Sequence, residues 1–202
     1  EVQRLSKLVG ALLKLSRMEM RSQPMREETV DLAALADDVV VSHEAFIEES
    51  GLSIHLDAQP NVKTIGDEDL IKQAITNLVS NAVRYTDEGG FITISVAREG
   101  RMAAISVADT GIGLSPEEEK MVFSRFWRAD SGRAKESGGL GVGLALVKEI
   151  VDRHHGRVSV KGEKGVGSVF TLYFPLYDEE KSLAQARMAV RAMERRQRGG
   201  LH

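Results

Sequence analysis

Residues 67–85 run Asp67-Glu-Asp-Leu70-Ile71-Lys-Gln-Ala74-Ile75-Thr-Asn77-Leu78-Val79-Ser-Asn81-Ala82-Val-Arg84-Tyr85, and their reading decides the fold. The apolar residues recur at helical spacing, so one face of this helix is buried. Steps of four and three put Asn77, Asn81 and Arg84 together on the opposite face. Amide oxygens are hard, neutral ligands that suit Mg2+, and a guanidinium one turn along suits phosphate. A solvated polar face has the same pattern, so this stretch alone leaves both readings open. Strand pairs lie downstream. Phe91–Ala97 and Met102–Ala108 alternate about the turn Arg98-Glu-Gly-Arg101, and Arg157–Lys161 pairs with Val166–Pro175 about a glycine turn. A helix from the N-cap Asp31 to Ser50-Gly51, a strand at Leu52–Leu56, short helical pieces around Pro116–Phe123 and a helix at Leu144–His155 complete the pattern. Strands backed by helices on one face predict an α/β two-layer sandwich over residues 29–176.

Around that unit the sequence changes character. Residues 1–20 carry Leu5, Leu8, Leu12 and Leu15 at alternating steps of three and four, a single amphipathic helix. Residues 21–28 are polar with one proline and read as a linker. Residues 177–202 form a charged tail with Leu183, Ala186, Val190 and Met193 at near-heptad spacing. The chain opens mid-pattern without an initiator methionine, so it is expected to be a piece of something longer. With 42% hydrophobic and 28% charged residues among 202, it has the composition of a soluble globular chain. A net charge of −3 gives no reason to expect nucleic acid as partner. The absence of cysteine excludes disulfides, thiolate-bound zinc and a thiol nucleophile, and fits a cytoplasmic setting.

Further motifs bear chemistry. Asp109-Thr-Gly111-Ile-Gly113 ends a strand; its carboxylate can accept from an exocyclic amino group, and its glycines allow close backbone approach to a flat ligand. Adenine offers that donor, whereas guanine offers an acceptor there. An ordinary β-turn uses the same residues. Gly138-Gly139-Leu140-Gly141-Val142-Gly143-Leu144 runs into a helix, where free N–H groups make an anion site. Its G-x-G-x-G spacing, with no strand before it, does not match a dinucleotide fold, and no G-x-x-x-x-G-K-[ST] occurs. Between these two motifs, Phe123–Glu136 holds four basic residues against two acidic ones, a local +2 in a negative chain. A loop of this length is usually functional, and Arg128 and Arg133 could close over phosphates while the aromatic residues anchor it.

In order and spacing these elements resemble the ATP-binding domain of sensor histidine kinases, in the gyrase, heat-shock chaperone, histidine kinase and MutL superfamily. The resemblance covers residues 1–176 and implies a mixed, largely antiparallel sheet with helices on one face. It matches Asn77, Asn81, Arg84 and Tyr85 to the N box, whose second Asn holds Mg2+. It matches Asp109, Gly111 and Gly113 to the first glycine box, with the Asp reading adenine. Phe123–Phe126 corresponds to the F box, and Gly139, Gly141 and Gly143, with Leu140, Val142 and Leu144 between and after them, to the second glycine box. Gly165, Gly167 and Ser168 correspond to the last. Residues 1–20 look like the second helix of the family's dimerisation domain.

Three departures stand out. Arg84 replaces the usual Lys, Val142 the commoner Leu, and His154-His155-Gly156 the usual His-Gly-Gly; the last puts a local turn in doubt. ATP-hydrolysing branches carry Glu at the position of Asn77. An amide cannot take a proton from water, so Asn77 argues for transfer to a protein nucleophile rather than hydrolysis. The family's acceptor histidine lies on a preceding helix; Ser42-His43-Glu44 fits its context only superficially, so the acceptor is expected to be missing. The resemblance implies ATP and Mg2+ as cofactors. As partners it implies the protein's own dimerisation and phosphoacceptor domain and a response regulator, in a full-length homodimer that a membrane anchor could hold. A nucleotide-gated binding module and a chaperone- or gyrase-like ATPase are the competing readings.

Overall fold

The computed structural model describes residues 24–128 and 141–177. The helix expected at 1–20, the tail after Tyr177, and Arg133, Gly139 and Leu140 lie outside the described residues. In chain order the elements are β1 (Glu28–Asp31), α1 (Leu32–Glu49), β2 (Ser53–Ala58), β3 (Lys63–Gly66), α2 (Glu68–Tyr85), β4 (Phe91–Glu99), β5 (Met102–Asp109), α3 (Pro116–Met121), α4 (Gly143–Arg153), β6 (Arg157–Glu163) and β7 (Gly167–Pro175).

Alternation along the strands builds the main sheet. Its order is β2-β4-β5-β7-β6, with β2 parallel to β4 and the other neighbours antiparallel. The register aligns Ile94, Val107, Phe170 and Val160 in one row and Val96, Ile105, Leu172 and Val158 in the next. These rows share one core with Leu35 and Val39 of α1, Ile71, Ile75 and Leu78 of α2, and Val147, Ile150 and Val151 of α4. Burying a side chain of this size contributes about 1.5–3 kcal/mol relative to exposure. On the other face of the sheet the corresponding row is Ser95, Ser106, Thr171 and Ser159. The expected two-layer sandwich with a mixed, largely antiparallel sheet is the fold observed.

Two short strands lie apart from that sheet. β1 and β3 pair antiparallel and bury Val30 and Thr64. The chain leaving β7 is held against this ribbon, with the Tyr177 N–H donating to the Lys63 carbonyl at 2.8 Å and the Thr64 hydroxyl to the Pro175 carbonyl at 2.9 Å.

The helices begin in two ways. Asp31, Asp67 and Ser115 cap α1, α2 and α3 through their side chains, Ser115 in a capping box with Glu118. Val142 precedes α4 and provides no side-chain cap. α2 and α4 pack side by side and run in opposite directions. The end of α4 at His154 meets the start of α2 at Asp67, while the start of α4 at Gly143 lies beside Asn77 in the body of α2. The sequence reading carried this last helix to His155. The structure ends it at Arg153, because His155 turns to φ 56°, in the left-handed region.

Candidate functional site

Two clusters of the sequence-predicted residues lie along α2. The first gathers at its C-terminal end. Asp109, the last residue of β5, stands opposite Ser168 of β7 in the strand register. Its Oδ1 accepts the Gly111 N–H at 2.9 Å and its Oδ2 accepts the Ser168 hydroxyl at 2.5 Å. Each carboxylate oxygen has a second lone pair, so this half-buried Asp109 is held in place and still able to accept from a ligand. Ile112 donates its N–H to the Tyr85 carbonyl at 3.1 Å, and Gly165 donates to the Ile112 carbonyl at 2.9 Å. Three motifs far apart in sequence thus meet at one corner.

The glycines there act differently from the expectation. Close approach to a ligand was the sequence argument, but their nearest neighbours are protein backbone. A Cβ on Gly111 would collide with the Tyr85 carbonyl, one on Gly113 with the Glu163 carbonyl, and one on Gly167 with the Asp109 carbonyl. Gly113 also has φ 63°, where side chains are strained. These glycines let the loops close on one another; Asp109 and Ser168 are left as the polar groups of the corner.

The second cluster lies two turns back, about 12 Å along α2 at 1.5 Å per residue. Here the Asn77 Nδ2 is buried and has no hydrogen-bond partner among the described residues. A Cβ on Gly143 would come 3.9 Å from the Asn77 Oδ1, so the amide stands next to the first residue of α4. The first-turn N–H groups of a helix without a side-chain cap need another acceptor. The Arg128 Nη2 is also buried and unpartnered among the described residues. Unpaired buried donors cost free energy, on the order of 1–3 kcal/mol each. Asn81 is half-buried one turn along the same helix and Arg84 is exposed in the last turn. Val142 is buried and Leu144 packs against the core, so their side chains anchor the loop.

The F-box segment and the second glycine stretch are joined. The Phe126 N–H donates to the Gly141 carbonyl at 2.7 Å, and Gly141 at φ 67° leaves no room for a Cβ against the backbone of Phe126 and Trp127. Phe123 meets Phe170 edge-on, 6.1 Å between centroids, and Trp127 packs on the core; both anchor the segment as expected. Phe126 does not. It is 56% exposed with φ 63°.

Some residues escaped the sequence reading. Thr86 caps the end of α2 with its hydroxyl buried and unpartnered among the described residues. His154 is 2% exposed, with both ring nitrogens engaged. Its signal was the departure at His154-His155-Gly156, which drew attention to the turn and away from the ring. His43 is held locally on α1, its Nδ1 2.9 Å from the Val39 carbonyl.

Residues 66–178 match the family described as histidine kinase-, DNA gyrase B-, and HSP90-like ATPase. The chain is 35% identical to the sensor-like histidine kinase SenX3 of Mycobacterium tuberculosis over 202 residues, 98% of this chain and 49% of the relative. To the phosphate regulon sensor protein PhoR of Pseudomonas aeruginosa it is 37% identical, over 85% of this chain and 39% of that protein. It therefore spans half or less of the length of these curated relatives. Among solved structures, the histidine kinase AdeS of Acinetobacter baumannii superposes with TM-score 0.71 at 25% identity, covering 88% of this chain and 81% of that one. Full-length ShkA in complex with AMPPNP superposes with TM-score 0.74 at 28% identity, covering 85% and 36% respectively.

Proposed function

Because the chain belongs to the histidine kinase-, DNA gyrase B-, and HSP90-like ATPase family, we propose that it is the nucleotide-binding catalytic unit of a two-component sensor histidine kinase. It takes ATP and passes the γ-phosphoryl group to a histidine on a dimerisation domain, for relay to an aspartate of a response regulator. One observation carries this reading above the others: the buried Asn77 Nδ2, without a partner among the described residues, beside the start of α4, which has no side-chain cap. A phosphate chain supplies the acceptors that both lack.

The residues divide the work. Asp109, braced by Gly111 and Ser168, accepts from the adenine amino group. Asn77, the first-turn N–H groups of α4, Arg84 and Arg128 meet the phosphates, joined by Arg133 and the Gly139–Leu140 stretch. Asn81 offers a hard amide oxygen of the kind Mg2+ takes, and the ion would supply charge neutralisation along the phosphates. Asn77 has no carboxylate with which to accept a proton from water, which favours an imidazole nucleophile. As the new P–N bond forms, the bond to the β-phosphate oxygen breaks and ADP leaves.

The test is a transfer assay. The chain, γ-labelled ATP and Mg2+ are mixed with a separately supplied dimerisation fragment bearing the acceptor histidine. Label on that histidine is expected. ATP bound without transfer would instead mark a nucleotide-gated binding module, and steady release of phosphate without transfer a chaperone- or gyrase-like ATPase.

A further inference from the structure

His154 joins α2 and α4, the two helices that bring Asn77 and Gly143 together, at the end remote from that pair. Its Nδ1 lies 2.7 Å from the Ile150 carbonyl, which can only accept, so Nδ1 carries the proton. Nε2 is then an acceptor, and the backbone N–H of Asp67 donates to it at 3.0 Å. The ring is 2% exposed, edge-on to Phe174 at 5.8 Å, and it rests on Gly66, where any Cβ would collide with it. Three structural facts therefore hold one nitrogen opposite one N–H.

Asp67 is itself a junction. Its Oδ1 caps α2 through the Leu70 N–H at 3.2 Å, and its Oδ2 accepts the backbone N–H of Arg26 at 3.1 Å. The segment that enters the domain, the start of α2 and the end of α4 are thus tied through one residue. Ten residues along α2, about 15 Å away, stands Asn77, and eleven residues back along α4, about 16 Å away, stands Gly143.

We propose that His154 is a positioning residue for the nucleotide site around Asn77 and the start of α4, the cleft of the proposed function. Its bond to Asp67 sets how α2 and α4 lie against each other, hence where Asn77 faces the first turn of α4, and it links that geometry to the segment entering at Arg26. The inference rests on the nucleotide reading of the cleft. It goes further in placing control of that cleft at the opposite end of the helix pair.

Two substitutions separate the inter-helix bond from the local one. In His154→Gln the longer side chain brings an amide oxygen to the place of Nε2 and keeps the acceptor for Asp67. In His154→Asn the amide nitrogen takes the place of Nδ1 and keeps the bond to Ile150, but the side chain does not reach Asp67. Affinity for Mg-AMPPNP and the KM for ATP in the transfer assay are measured with thermal unfolding of each variant. His154→Asn is expected to raise the dissociation constant and KM about tenfold, with kcat nearly unchanged, and His154→Gln to restore both to within about threefold. Equal affinity of the two variants, or losses that simply follow their melting temperatures, would overturn the inference.

The unsubstituted chain gives a second readout that no folding defect can obscure. Coupling is reciprocal, so Mg-AMPPNP should shift the His154 ring nitrogens and the Arg26 amide in nitrogen-15 spectra. Nucleotide binding that leaves both unmoved would refute the positioning role while sparing the cleft. No binding at all would remove the cleft reading and the inference with it.

Discussion

The helix pair α2/α4 has two unlike ends. At one, Asp67 and His154 use their polar atoms on each other, on Leu70, on Ile150 and on Arg26. At the other, among the described residues, the Asn77 Nδ2 is buried and unpaired and Val142 leaves α4 without a side-chain cap. The same two helices, with the same core between them, are satisfied at one end and in deficit at the other. Satisfied polar groups stabilise a fold; a cluster of unsatisfied ones at a shared corner awaits a ligand. The difference teaches that structure and binding can be assigned separately along one pair of helices.

Substitutions at the two ends should therefore separate stability from affinity. The largest effect is expected at the satisfied end. His154→Ala removes a buried ring and leaves the Asp67 N–H unpaired, while the Ile150 carbonyl keeps the backbone N–H of residue 154, costing about 3 kcal/mol in chemical denaturation. A loss below about 1 kcal/mol would mean the pin is slack. Next is Asp109→Asn, which puts a mixed donor and acceptor where only an acceptor serves. Calorimetry should show ATP affinity weaker by about 1–3 kcal/mol. At the open end, Asn77→Ala should weaken ATP binding by about 1–2 kcal/mol and leave stability within about 0.5 kcal/mol. Equal losses of stability and binding would erase the contrast between the ends.

Two smaller effects sharpen it. Burial lowers the pKa of His154 below its ordinary 6.5, against the opposing pull of the Ile150 carbonyl and of Asp67, while Arg153 and His155 nearby lower it further. As pH falls below about 6.5 the unfolded chain takes up that proton before the folded one. The stability that the neutral ring contributes is thus complete above that pH and declines as pH drops through the folded-state value. Denaturation midpoints over a pH series should show this slope, and His154→Gln should flatten it. The smallest effect is at the neighbouring turn. His155 sits at φ 56°, where glycine is unstrained, so His155→Gly should stabilise the chain by about 0.5–1 kcal/mol.

Much of the fold was legible because its core elements are long and periodic. The Asp31 cap, the helix starting at Asp67, the two antiparallel pairs and the face of α2 all follow from spacing and local chemistry. β1 and β3 were not foreseen: four residues each, with Val30 the single buried hydrophobic residue across both strands, carry too little pattern. Nor was the parallel pairing of β2 with β4, a contact made by topology. Of the site, Asn77, Asp109 and Ser168 were readable as residue types, and their convergence rests on contacts between distant segments. Gly111, Gly113 and Gly167 were readable as positions of close approach, but the atoms that approach them are protein backbone. His154 was legible only as part of a turn, because an imidazole's burial and its two backbone partners leave no trace in periodicity.

The most direct test follows backbone and side-chain amide resonances while Mg-AMPPNP is added. The account predicts the largest shifts at Gly143, Leu144, Ala145 and the Asn77 side-chain amide, a second group at Asp109, Gly111 and Ser168, and little response to the guanine analogue. Saturable binding that leaves the Asn77 amide and the start of α4 undisturbed would contradict it.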